Sequence, residues 1–267
     1  MAIKYTKDNP LRVFEAFAGY GSQAIALEQL QRVYPDFRFK SVGISEIEPT
    51  AVAAYNAIHP GVKNYGDISK IDWSEVPDFD LFTMSSPCQD FSQAGLQKGG
   101  EEGSGTRSSL LWECRRAIGA KKPKYIMLEN VAALVSKKFI DSFNRWQSEL
   151  AHYGYRNFAQ LMNAKRYGTP QNRDRIFLVS IRDDGDDPRF HFPAPFPLAT
   201  KLRDLLEDSV DPKYYLNPMK VQEFVNKNIV KIREYAAKGI SEGQTIEKLP
   251  ERLRKWIEEY KDKGEKE

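Results

Sequence analysis

Between Leu11 and about Val179 the chain alternates short apolar runs with amphipathic stretches, and this pattern limits the fold more tightly than any other feature. The runs Arg12–Phe17, Phe39–Glu46, Phe79–Met84, Tyr125–Glu129, Arg156–Asn163 and Arg175–Ile181 read as strands. Helical patterns fall between them at Ser22–Val33, Pro49–Ile58, Ser108–Ala120 and Lys138–Tyr153. Strand–helix alternation predicts an α/β fold, a mostly parallel sheet with helices on both faces. The last two runs are joined by Ala164–Asp174 without a helical pattern, which predicts a hairpin and so an antiparallel strand at one edge.

The chain has 267 residues, enough for one large domain or one domain with an appendage. No apolar stretch approaches the roughly 18 residues that a membrane span needs, and the start, Met1-Ala2-Ile3-Lys4-Tyr5, has no secretory pattern. The expectation is therefore a cytoplasmic protein without a membrane partner. Cys88 and Cys114 do not make a disulfide framework. With three histidines and no clustering of Cys with His, there is no zinc signature, and no metal is expected. The net charge is +3; residues 213–267 hold 13 Lys+Arg against 10 Asp+Glu, leaving 27 of each sign before them. That weak basic excess is compatible with nucleic acid, but a solvated helical surface accounts for it equally well.

Arg182-Asp183-Asp184-Gly185-Asp186-Asp187-Pro188 breaks the composition, and Phe190–Pro197 then carries three prolines. This reads as a boundary between a domain at 1–189 and a linker with a short helical C-terminal extension at 190–267. In the extension Leu253, Trp256, Ile257 and Tyr260 fall at helical spacing behind Pro250, a pattern for packing rather than catalysis. Gly95–Thr106 is rich in Gly, Lys, Glu and Ser and reads as a long loop, a length common among lids and binding loops.

Four strand ends carry chemistry. Gly19, Gly21 and Ala24 fit G-x-G-x-x-G/A between a strand and a helix, where glycine lets the backbone turn tightly and approach a ligand. The next strand ends at Glu46, placed to accept both ribose hydroxyls of a nucleoside. Asp80-Leu81-Phe82-Thr83-Met84 runs into Ser85-Ser86-Pro87-Cys88-Gln89, so a thiol stands at the carboxyl end of a strand, where α/β folds hold ligands. A small buried hydrophobe is the bland alternative for such a cysteine. Glu129 ends Tyr125-Ile126-Met127-Leu128 at the edge of the core, where partial desolvation favours the protonated, hydrogen-donating form. In Gln171-Asn172-Arg173-Asp174-Arg175, alternation along a strand puts Gln171, Arg173 and Arg175 on one face, a pair of guanidinium forks suited to phosphate or a carbonyl oxygen. A surface ion-pair ladder is the alternative there.

Taken together these residues resemble the DNA (cytosine-5) methyltransferases. The resemblance rests on Phe17-Ala18-Gly19-Tyr20-Gly21, Glu46, Gly66-Asp67-Ile68, Pro87-Cys88-Gln89, Glu129-Asn130-Val131 and Gln171-x-Arg173-x-Arg175, in that family's order, over residues 11–182. It implies a Rossmann-like S-adenosylmethionine-dependent methyltransferase fold acting on a cytosine flipped out of duplex DNA. It implies Cys88 as the nucleophile that adds to C6, and Glu129 as the group on N3 and the exocyclic amine. Arg173 and Arg175 would hold the base carbonyl and backbone phosphate, with Gln89 and Ser92 also on the substrate. S-adenosylmethionine would lie against Phe17, Gly19, Tyr20, Gly21 and Pro87, its ribose on Glu46 beside Ile47 and its adenine on Asp67 and Ile68. Residues 93–106 match the loop that closes over the flipped base.

The sequence departs from that family after residue 182. The Gly-Asn-Ser motif that completes the cofactor pocket is absent, and little follows the passage toward target recognition. A split enzyme with a second polypeptide, a truncation, or a reduced but complete enzyme each account for this, and the split enzyme is the preferred expectation. The resemblance further implies restriction-modification and association with the nucleoid through DNA. The same chemistry on an RNA cytosine, or a non-catalytic DNA-binding subunit of the same fold, are the alternatives.

Overall fold

A six-stranded sheet in the order β2-β1-β3-β4-β6-β5 organises the first of two units, Met1–Leu205 and Leu206–Glu267, in the computed structural model. The structure describes residues 4–87, 107–184, 189–215, 217 and 219–227. The strands are β1 (Leu11–Ala16), β2 (Phe39–Ser45), β3 (Leu81–Met84), β4 (Tyr125–Val131), β5 (Tyr155–Asn163) and β6 (Asp174–Arg182). β1 pairs in parallel with β2 and β3, and β3 with β4. β6 runs antiparallel between β4 and β5. The reversed strand of the expected hairpin is thus second from the edge, and β5 forms the edge itself.

Helices α1 (Ser22–Val33), α2 (Pro49–Ile58), α3 (Cys114–Lys121) and α4 (Ile140–His152) connect the strands. Pro49 starts α2 at its first turn, where its fixed φ suits the helix and its missing N–H costs nothing. The segment expected as one helix over Ser108–Ala120 divides instead into a 3-10 stretch, Arg107–Glu113, and α3. Leu111, Trp112 and Cys114 are all buried there.

The larger core cluster collects Phe14, Phe82, Ile126 and Leu128 from the sheet with Ile118 of α3 and Phe143, Trp146 and Leu150 of α4. Phe14 lies 5.3 Å from Trp73, 5.4 Å from Phe79 and 6.0 Å from Phe82, centroid to centroid, an aromatic knot beneath the first strand. Phe14 and Ala16 face that cluster, while Glu15 between them turns to the other side and meets Tyr55 of α2. Asp184 ties the far ends of β4 and β6, facing Lys124 Nζ and Arg182 Nε at 2.6 Å each.

In the second unit the described residues include a 3-10 turn, Pro212–Tyr214, and a helix over 219–227. Asn217 caps that helix by accepting the Met219 N–H at 2.9 Å. Among the described residues no helix is long and apolar enough to cross a membrane.

Candidate active site

β1 has β2 on one side and β3 on the other, so the strand order reverses there and a crevice opens at the carboxyl ends. The chain leaving β1 enters that crevice through three left-handed residues: Phe17 (φ 57°), Gly19 (φ 58°) and Gly21 (φ 86°). At Phe17, a residue with a Cβ, this conformation costs about 1–2 kcal/mol, the kind of strain that surrounding structure must hold in place. The Ala18 N–H donates to Ser45 O at 3.2 Å, and the Gly21 N–H to Ala18 O at 2.9 Å. The two glycines differ in their surroundings. A Cβ on Gly19 would meet no atom within 4 Å, whereas one on Gly21 would sit 2.6 Å from the His59 ring and 2.8 Å from Tyr55.

A buried polar chain supports this turn from below. Glu15 accepts the Tyr55 hydroxyl at 2.8 Å and the Ala24 N–H at 3.3 Å, and His59 Nδ1 lies 3.1 Å from Glu28. Burial pushes the Glu15 carboxyl above its ordinary range, and the Tyr55 and Ala24 hydrogen bonds pull against that.

Glu46 closes the crevice on the β2 side. Its Oε2 accepts the Gly19 N–H at 2.8 Å, and its Oε1 accepts the N–H groups of Ile47 and Glu48 at 2.8 and 2.9 Å. A carboxylate has about four acceptor sites, so roughly one remains for a ligand hydroxyl. Asn64 holds the Glu46 backbone from both sides, accepting its N–H at 3.1 Å and donating to its carbonyl at 2.9 Å. Tyr20 and Ile47 expose 55% and 69% of their surface beside these groups, apolar area that a bound nucleoside would cover. Asp67 accepts the Ser69 hydroxyl and N–H, which hold its carboxyl below the usual range. The Ile68 side chain is buried in the core.

On the other side of β1, the start of the loop after β3 is fastened from two sides. Gln23 Nε2 donates to Ser85 Oγ at 2.9 Å, and Asn130 Nδ2 donates to Ser86 O and Oγ at 3.2 Å each. Pro87 follows; Cys88, Gln89 and Ser92, and the whole of 93–106, lie outside the described residues. Cys114, by contrast, is buried in the core with its thiol pushed far up by desolvation, which leaves it inert.

At the end of β4, Glu129 Oε1 lies 2.9 Å from Arg175 Nε, with 23% and 20% of the two side chains exposed. In the register Glu129 faces Phe177, so Arg175 is its diagonal neighbour on the same face of the antiparallel pair. The Arg175 counter-ion of Glu129 was not legible in the sequence. Arg173 stands before the ladder, because β6 begins at Asp174, and its carbonyl accepts the Ala164 N–H at 3.0 Å. The alternation argument therefore covers Arg175 but not Gln171 or Arg173. Sequence reasoning also assigned no role to Asn130, Gln23, Asn64 or the Glu15–Tyr55 pair. For Asn130 a signal existed: it falls in phase with the buried Ile126 and Leu128, and a buried amide must find partners.

A family model described as C-5 cytosine-specific DNA methylase matches residues 11–266. The chain belongs to this family. Among its relatives, the type II methyltransferase M2.ScrFI of Lactococcus lactis subsp. cremoris is 39% identical over 266 residues, covering 80% of this chain and 72% of that protein. The orphan methyltransferase M.SPRI of Bacillus phage SPR is 33% identical over 269 residues, covering 90% of this chain and 58% of its own length. The type II methyltransferase M.NlaX of Neisseria lactamica is 38% identical over 209 residues, covering 77% and 63%. For the latter two the match spans less than two thirds of the relative. Among solved structures, S. pombe Dnmt2 methyltransferase superposes with a TM-score of 0.59 at 22% identity, over 81% of this chain and 64% of that one. A mutant of Spodoptera frugiperda DNMT2 gives 0.62 at 18%, over 78% and 62%. At such identities these two establish a shared fold, the α/β methyltransferase fold with its antiparallel hairpin. S-adenosylmethionine is the methyl donor of this cytosine methylase family.

Proposed function

We propose that the chain transfers a methyl group from S-adenosylmethionine to C5 of a cytosine flipped out of duplex DNA, through a bond between Cys88 and C6, in the setting of restriction-modification. One observation carries this reading. Around the switch point, the glycine turn with Glu46 stands on one side of β1, and on the other stand the Ser85–Pro87 segment, which precedes Cys88 in the sequence, and the Glu129–Arg175 pair at the end of β4. A nucleoside cofactor and a base-binding carboxylate would thus meet across one crevice.

The residues present fit the cofactor. The glycine turn admits close approach, Glu46 keeps roughly one acceptor site for a ribose hydroxyl, and Tyr20 and Ile47 offer apolar cover. Phe17 and Pro87 complete the lining, with Asp67 and the Ile68 backbone at the adenine. When bound, S-adenosylmethionine supplies a methyl group made electrophilic by its sulfonium.

Cytosine C5 is a poor nucleophile until the ring is changed. The Cys88 thiolate adds to C6, and the displaced electron pair moves toward C5 and N3. Glu129 binds N3 and the exocyclic amine and steadies the charge that builds on the ring as Cys88 adds, acid–base assistance of a kind typically worth about 10²–10⁴ in rate. Arg175 holds Glu129 in place and reaches the base carbonyl, while Arg173 binds backbone phosphate. C5, now enamine-like, would be open to the methyl group that the cofactor supplies; loss of the C5 proton to solvent water and expulsion of Cys88 would then restore the 5,6 double bond. Flipping the base costs a few kcal/mol, which contacts to the extruded nucleotide must offset.

A duplex carrying 5-fluorocytosine tests this directly, because fluorine at C5 blocks the final proton loss and leaves Cys88 bonded to C6. The wild-type chain is expected to form an adduct that survives denaturation. Cys88→Ser is expected to keep cofactor binding and lose both adduct and turnover. Near-normal turnover by Cys88→Ser would refute the covalent route.

A further inference from the structure

The tip of the β5–β6 hairpin is built more firmly than a simple connection requires. After Asn163 the chain makes one 3-10 turn, Ala164–Tyr167, closed by the Gly168 N–H on Ala164 O. Asn163 braces it, with Oδ1 accepting the Lys165 N–H at 3.1 Å and Nδ2 donating to Asn172 Oδ1 at 2.8 Å and Asp174 Oδ1 at 2.7 Å. The proline-rich segment supports the turn. Phe196 stands nearly perpendicular to Tyr167, its N–H donates to Arg166 O at 3.0 Å, and the Tyr167 hydroxyl donates to Pro193 O at 3.2 Å.

This rigid turn presents cations. Lys165 and Arg166 are exposed, and among the described residues neither side chain makes a hydrogen bond or ion pair; the same holds for Arg173. Elsewhere in the unit Arg12, Lys121, Lys124 and Arg182 each face a carboxylate. Lys165 and Arg166 line a cavity of about 420 Å³ together with the amides of Gln160, Asn163 and Asn172. Asp174 lines it too, its Oδ1 accepting from Asn163 Nδ2, so the two cations stand beside one carboxylate. With both Asn163 amide hydrogens already engaged, the two cations and the Gln160 and Asn172 amides are the groups suited to a phosphate oxygen.

Register gives the distance. Met162 pairs with Arg175, which pairs with Val131 at the end of β4. The tip therefore lies two strands from β4, about 10 Å at 4.7–4.9 Å per strand, and at the same end of the sheet as Glu129. Each nucleotide advances a DNA strand by about 3.4 Å along its axis and further around it, so about 10 Å keeps the tip within a few nucleotides of a base held at Glu129.

We propose that Lys165 and Arg166 on the hairpin tip clamp the DNA backbone within a few nucleotides of the flipped cytosine. The proposal rests on the DNA reading above and adds a backbone contact to it. Since a phosphate contact carries no base information, the tip sets affinity and register but not target choice.

The test measures DNA binding by the full chain from 50 to 200 mM salt, using fluorescence anisotropy on a duplex with cytosine and on a matched duplex without it. Loss of two phosphate contacts lowers the slope of log affinity against log salt by about 1.8, so wild type loses about 12-fold more affinity over that range than the Lys165→Gln/Arg166→Gln double variant. The loss is expected to be equal on both duplexes, with cofactor affinity and circular dichroism unchanged. The charge-preserving swap Lys165→Arg/Arg166→Lys is expected to keep the wild-type slope. A wild-type chain that binds DNA with a slope matched by the double variant overturns the clamp alone. A wild-type chain with no salt-dependent DNA binding overturns the DNA reading and the clamp together. Inorganic phosphate that displaces DNA at millimolar concentration from wild type but equally from the double variant also overturns the clamp.

Discussion

Replacing Gly21 with alanine should harm the fold far more than the same change at Gly19, although both glycines are left-handed and two residues apart. Each substitution places a Cβ at positive φ (86° at Gly21, 58° at Gly19), which costs about 1–2 kcal/mol. At Gly19 that is the whole cost, because no atom lies within 4 Å. At Gly21 the new methyl would lie 2.6 Å from His59 Cδ2 and Nε2 and 2.8 Å from Tyr55 Cε2. Neither ring can easily retreat, since Glu28 holds His59 and Glu15 holds the Tyr55 hydroxyl. Overpacking of this kind typically adds about 1–3 kcal/mol. The expected destabilisation is thus about 2–5 kcal/mol for Gly21→Ala and about 1–2 kcal/mol for Gly19→Ala. Urea unfolding followed by circular dichroism measures both, and the double variant Gly21→Ala/His59→Ala should show favourable coupling because it removes one side of the clash. Equal destabilisation by the two single variants would refute the packing argument.

Other consequences concern neighbouring groups. Glu46→Gln removes the charge that three N–H groups share, and cofactor affinity should fall about 10- to 100-fold by calorimetry, since hydrogen bonds to charged groups contribute about 1.5–3 kcal/mol. Asn130→Ala leaves the Ser86 carbonyl unsatisfied at a cost of about 1–3 kcal/mol, and kcat should fall while cofactor affinity holds, because the segment leading to Cys88 loses its anchor. Asp184 is held down to about 2, first by its hydrogen bond from Arg182 and then by Lys124. A depressed carboxylate stabilises the fold above its unfolded value of about 3.9, and that contribution is lost as pH falls toward 2. Stability measured from pH 5 to 2 should therefore decline less steeply in Asp184→Asn than in wild type.

The sequence carried the element plan where local chemistry agrees with period. Ser22–Val33 and Pro49–Ile58 match their expected bounds, the second with proline at its first turn. The strand ends at Met84 and Asn163 were legible because Ser85-Ser86-Pro87 and the break in apolar pattern mark them. Legibility failed where long-range register decides. The Glu129–Arg175 contact depends on Glu129 facing Phe177, a pairing that alternation alone does not fix. Glu15 sits inside an apolar strand, and its partner Tyr55 lies forty residues away, so only the packing of α2 on the sheet reveals why a buried acid is tolerated. The tip cations Lys165 and Arg166 stood in a stretch read merely as a connection, since their exposure follows from the braced turn rather than from composition.

The most direct measurement is the chemical position of the transferred methyl group. The folded chain, in stoichiometric excess over mixed-sequence duplex DNA, is incubated with S-adenosylmethionine labelled in its methyl group, and the digested nucleosides are resolved by mass spectrometry. Label is expected in 5-methylcytosine, abolished by Cys88→Ser. Label on an exocyclic amine of cytosine or adenine, or no transfer by a chain that binds both cofactor and DNA, would contradict that expectation.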